Sequence, residues 1–104
     1  MRKEAVGRRA VVHGQDDPRV IALHRAVARL HRELAGYRAQ LADRQIAEDE
    51  LAAVEAALRA GAPEVVRLRH SLLLIAGAIG SVSALAEALA EVRKAVELFG
   101  GPTP

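Results

Sequence analysis

The sequence predicts an all-α protein, an antiparallel hairpin of two long coiled-coil-like helices, and three observations carry that reading. Ala, the strongest helix former, supplies 22 of the 104 residues. Hydrophobic residues make up 51% of the chain but aromatic ones only 2%, so the core must come from many small aliphatic contacts between closely spaced helices. Apolar residues also recur at three- and four-residue steps along most of the chain, the period of one helix face.

Residues 1–16 have no such period. They carry Gly7, Gly14 and four basic side chains and read as a flexible basic arm. Asp17-Pro18 then supplies an N-cap followed by proline at the first helical position. From there the seam runs Val20, Leu23, Val27, Leu30, Leu34, Tyr37 and Leu41, weakens over 43–50, and resumes at Ala47, Leu51, Val54 and Leu58. This predicts a first helix over 17–60, a turn at 61–62 where Gly61 stops the helix, and a second helix over 63–99 started by Pro63. The second seam is Val65, Leu68, Leu72, Ile75, Ile79, Val82, Leu85, Leu89, Val92, Val96 and Phe99; Gly100-Gly101-Pro102 closes it, leaving 101–104 as a tail. Helices of roughly 43 and 37 residues would reach about 65 and 55 Å, and a short connection makes them antiparallel.

Each seam contains one extra three-residue step, Leu41–Arg44–Ala47 and Ile79–Val82–Leu85. Folding the hairpin sets the two side by side, where they predict matched local overwinding; a break of the first helix near 43–50 is the alternative. Charge agrees with the pairing. Arg19 to Arg44 holds six Arg and two acids, whereas Gln45 to Glu55 holds four acids and no base. The basic half is expected beside Glu87, Glu91 and Glu97, and the acidic half beside Arg67 and Arg69. Tyr37 sits on the seam with its hydroxyl at an edge, and Phe99 anchors the end of the second helix.

The stretch 71–86 contains no charged residue in a chain that is 27% charged. With Leu72, Ile75, Ile79 and Val82 on the seam, the opposite face carries Val66, Leu73, Gly77, Gly80, Ala84 and Ala88. A helix apolar on both faces must be covered on both, and a single hairpin covers one. The small-xxx-small spacings around Gly77 and Gly80 allow a close backbone crossing. The expectation is a homodimer that forms a four-helix bundle through these six residues. A membrane-associated or membrane-inserting hairpin using 71–86 is the alternative, although sixteen residues rise only about 24 Å against a hydrocarbon core of about 30 Å.

The absence of Cys excludes disulfides and thiol chemistry. His24 and His31 lie seven residues apart without the convergent ligands a zinc site needs, His70-Ser71 lacks an orienting acid, and no phosphate-cradling glycine loop occurs. No enzyme activity, metal or cofactor is expected. Arg25, Arg29 and Arg32 form a ridge opposite the first seam, available to an acidic partner or an anionic surface. A net charge of only +2 and the lack of stacking aromatics make a nucleic-acid-binding regulator the weakest reading. Without an apolar run of signal-peptide length at the N-terminus, the expected location is cytoplasmic. In outline a helical hairpin of about 100 residues resembles the small secreted WXG-type proteins, but the turn here reads Arg59-Ala60-Gly61-Ala62-Pro63 and no Trp is present, so none of their function carries over. The sequence points to a self-associating assembly or adaptor protein that presents its basic arm and Arg ridge to a partner.

Overall fold

Each of the two expected long helices is broken once, and the chain turns back on itself at both breaks. The computed structural model describes residues 17–61 and 63–100. Every regular element among them is helical: α1 (Pro18–Gly36), α2 (Arg44–Ala60), α3 (Val65–Ile79) and α4 (Ala86–Gly100), with a 3-10 turn at Ser83–Leu85 leading into α4. The expected basic arm, 1–16, and the tail, 101–104, lie outside the described residues. The predicted continuous helix over 17–60 is therefore corrected to α1 and α2, and that over 63–99 to α3 and α4. The breaks fall where the seams carried their three-residue steps, so those steps mark reversals of the chain and not overwound helix.

Four helices close a ring in which α1 touches α2 and α4, and α3 touches α2 and α4. The directions follow from individual contacts. Arg19 stacks over the Phe99 ring, 4.9 Å from its centroid, while Arg29 reaches Glu87 and Glu91, so α1 and α4 run antiparallel. His31 lies 3.5 Å from Glu55, and Val20 and Ile21 share a groove with Leu58, so α2 runs back along α1. Gly100 of α4 meets the side chains of Arg69 and Val65 at the start of α3, so α4 runs back along α3. Each helix thus lies beside antiparallel neighbours with short connections.

The core is one cluster drawn from all four helices. Leu23, Val27, Leu30 and Leu34 of α1, Ala47 and Leu51 of α2, Ile79 of α3 and Ala88 of α4 have no exposed surface. Val20, Leu23, Val27, Leu30, Leu34, Leu51, Val54 and Leu58 occupy the places the first seam gave them. Tyr37 and Leu41, on the connection, and Leu72, Val82 and Phe99 are half-buried against the cluster. In α3 the buried line is Leu68, Ser71, Ile75 and Ile79, so a serine takes a core place.

The helix ends show how the reversals are held. At the start of α1, Asp17 caps through its carboxylate, accepting from Arg19 N at 2.8 Å. Side-chain hydrogen bonds from Arg19 hold its carboxyl below the ordinary carboxylate range. The α1–α2 connection contains no Pro and no Gly after Gly36. Arg44 organises it instead: its guanidinium donates to Leu34 O at 2.6 Å, to Tyr37 O, and to Ala39 O at 3.2 Å. Leu34 O also accepts from the capping Tyr37 N–H at 3.1 Å, and Tyr37 O and Ala39 O belong to the connection itself, so the guanidinium ties the end of α1 to the segment that follows it. At the α2–α3 turn Gly61 adopts φ +139°, a backbone region that favours glycine.

The two glycines that the sequence placed together on one crossing have different roles. Gly80 ends α3, and a Cβ there would collide with the carbonyl oxygen of Ala76. Gly77 lies inside α3 with nothing within 4 Å of where its Cβ would be. Accordingly, Gly80→Ala should lose about 1–3 kcal/mol in urea denaturation, while Gly77→Ala should gain up to about 1 kcal/mol. In the same assay Arg44→Leu should lose about 1–3 kcal/mol, the scale of hydrogen bonds to a charged group. Arg44→Lys should recover less than half of that, because an ammonium cannot reproduce the fork.

Candidate functional site

Two surfaces on different helices emerge from this framework. The first is the outer face of α3. Val66 is 72% exposed and Leu73 71%, with Leu74 at 37% on the adjoining edge. Gly77, Gly80 and Ala84 are exposed with them, so five of the six residues assigned to an outer face do lie on the surface. Ala88 does not: it has no exposed surface and sits in the core. Its assignment fails because counting at 100° per residue is valid only within one helix, and the reversal at 80–85 resets the phase.

The surroundings of this face are basic. Arg67, Arg69 and His70 are exposed, and no acid occurs from Val65 to Ala86. The acids of α2 expected beside Arg67 and Arg69 form no ion pair with them among the described residues. Two large aliphatic side chains standing clear of a closed core, over a glycine that leaves open space, form an apolar patch that the fold itself does not use.

The second surface is the outer face of α1. The expected ridge of Arg25, Arg29 and Arg32 divides there. Arg29 is committed internally, its Nε 2.8 Å from Glu33, one terminal nitrogen 2.7 Å from Glu91 and the other 3.2 Å from Glu87. Hydrogen bonds to Glu33, Glu91 and Glu87, in that order of weight, push its guanidinium above the ordinary arginine range. The expectation that Glu87 and Glu91 would lie beside the basic half is met in this one residue. Arg25 and Arg32 are exposed and form no ion pair among the described residues. They, and not Arg29, remain available to a partner.

Arg25 also borders two grooves. One, of about 310 Å³, lies between the first turns of α1 and the last turn of α2 and is lined by Val20, Ile21, His24, Arg25, Leu58 and Arg59. The other lies between α1 and α4 and includes Glu91, Lys94, Glu97 and Leu98. Sequence reasoning missed the first groove. It treated α1 and the end of α2 as parts of one helix, and only the reversal brings Leu58 and Arg59 beside Val20 and Ile21.

Among the described residues no group of three or more His, Cys, Asp or Glu could hold a metal ion, and no helix is long and apolar enough to cross a membrane.

The chain belongs to a family of unknown function, DUF5955, whose model matches residues 12–100. No curated protein and no solved structure matches it.

The Arg29 contacts tie α1 to α4 in an exposed, salt-accessible setting. Arg29→Met should therefore lower the melting temperature in 20 mM salt, with a smaller decrease in 500 mM salt, as read by circular dichroism.

Proposed function

We propose that this family member is a non-enzymatic assembly protein that self-associates through the outer face of α3 and leaves Arg25 and Arg32 free for a further partner. The observation that carries the reading is the exposure of Val66 and Leu73 on one face of α3. The sequence predicts a dimer that completes a four-helix bundle; since the described residues of one chain already provide four helices, the dimer pairs two such units through α3.

The face is self-complementary in one direction. Its larger residues, Val66, His70 and Leu73, precede Gly77 and the terminal Gly80 along α3. A two-fold axis crossing near Ile75 sets Leu73 over Gly77 of a second copy and His70 over Gly80. This is an isologous contact of large against small. A parallel pairing would set Arg67 and Arg69 against the same residues of the second copy, so charge opposes it.

A second reading follows from Arg67 and Arg69. An apolar helix face flanked by arginine and free of acids also suits the interface of an anionic membrane. The assembly reading is preferred because the patch sets the bulk of Leu73 one turn from the open space at Gly77, which a fluid lipid surface does not require.

Light scattering coupled to size exclusion tests the proposal. The full chain at about 100 µM should run at twice its 11.1 kDa mass, and Leu73→Glu and Val66→Glu should each run at the monomer mass with helical content retained. The chain lacks Cys, so mixed Leu73→Cys and Gly77→Cys variants should form an oxidised heterodimer more readily than either forms a homodimer. A wild-type chain of monomer mass would refute self-association. Cosedimentation with anionic vesicles that is lost in Leu73→Glu would favour the membrane reading.

A further inference from the structure

The groove between α1 and α2 is chemically unlike its neighbour and stands apart from the α3 surface. Its floor is apolar: Val20 and Leu58 are 4% and 2% exposed, and Ile21, 41% exposed, forms a wall. Its rim carries the two guanidinium groups of Arg25 and Arg59, with His24 beside them. No carboxylate lines it, and neither arginine has an ion-pair partner among the described residues. At about 310 Å³ it sits at the small end of the range for ligand sites, about 300–1,000 Å³, with the usual apolar lining and few polar groups.

Charge decides the class of occupant. The adjoining groove on the other side of Arg25 sets Glu91 and Glu97 against Arg25 and Lys94 and has no net preference for an anion, whereas this one, among the described residues, presents Arg25 and Arg59 and no acid. The chain's own first sixteen residues hold four bases against two acids and are mismatched to a cationic rim. An uncharged apolar molecule would leave Arg25 and Arg59 unanswered. We infer that the groove binds a small amphiphilic carboxylate, its head group held by Arg25 and Arg59 and its hydrocarbon laid against Val20, Ile21 and Leu58. Arginine favours the carboxylate because its planar fork donates two parallel hydrogen bonds.

The test is titration of the ¹⁵N-labelled full chain with octanoate and, in parallel, with octanol. Octanoate should shift the amides of 20–25 and 58–59 in a saturable way. Replacing both Arg25 and Arg59 with Gln should weaken that binding at least about tenfold, the ~1.4 kcal/mol scale of a charge-assisted hydrogen bond. Octanol should bind at least about tenfold more weakly than octanoate to the unaltered chain. Ile21→Asp, which adds a carboxylate to the wall and leaves both arginines in place, should also abolish binding; spectra of the free variants establish that each is folded. No saturable shift with octanoate, equal binding of octanol, shifts centred on Val66 and Leu73, or undiminished binding to the Arg25/Arg59 variant would each overturn the inference.

Discussion

The Arg44 guanidinium binds, from one side chain, the last turn of α1 and the connection that follows it. Leu34 O, Tyr37 O and Ala39 O all accept from it. Much of the architecture depends on that fork, because the connection it stabilises decides which surfaces meet. Were residues 18–60 a single helix, His31 and Glu55 would stand 24 residues apart, about 36 Å along the axis. With the reversal they lie 3.5 Å apart, and the stripe of α2 closes over that of α1. Arg44 also lies 4.0 Å from Glu48 in the first turn of α2, so one residue links the end of one helix to the start of the next. At the other reversal, after α3, Gly80 leaves room for the Ala76 carbonyl oxygen.

Most of the core was legible because apolar periodicity reports burial whatever the connections do. Leu23, Leu30, Leu51, Ile75 and Val92 were placed on the seams, and all are buried. The seams could not report that the long helices were interrupted. A three-residue step reads equally as overwinding or as a boundary between two helices with independent phase, and the α1–α2 connection contains neither Pro nor an internal Gly to decide. The signal present in the sequence was Arg44 itself, a basic residue on the seam where an aliphatic one was due. That substitution favours a carbonyl-binding role over knob-into-hole packing. Ala88 was misplaced for the same reason. Val66, Leu73 and Gly77, within a single unbroken helix, were read correctly as exposed on a common face.

The reversals also change why the chain would need a partner. A straight hairpin leaves the outer face of its uncharged 71–86 stretch bare, and a dimer would be needed to cover it. Doubled over, α1 with α4 packs on α2 with α3, which buries Ala88 within one chain but leaves Val66, Leu73, Gly77, Gly80 and Ala84 on the surface. The electrostatics divide in the same way. Arg29 is consumed in joining α1 to α4, whereas Arg25, Arg32, Arg59, Arg67 and Arg69 form no ion pair among the described residues. A partner for either surface must therefore answer unpaired arginines as well as apolar area.

The outer face of α3 then stands out because the fold gives no reason for it. Glycine inside a helix costs about 1 kcal/mol relative to Ala, and at Gly77 the fold offers no steric compensation, since an added Cβ would meet nothing. Val66 and Leu73 each leave more than two thirds of their surface in water, where a polar residue would serve the monomer equally well. Solubility and helix stability would both favour Ala at 77 and polar residues at 66 and 73. The three share one face, with the open glycine one turn beyond the exposed leucine, and that spacing suits the insertion of a side chain from outside. A local rule broken without gain inside the molecule directs attention to a gain outside it. In the proposed antiparallel pair, Leu73 of the second copy would be that side chain.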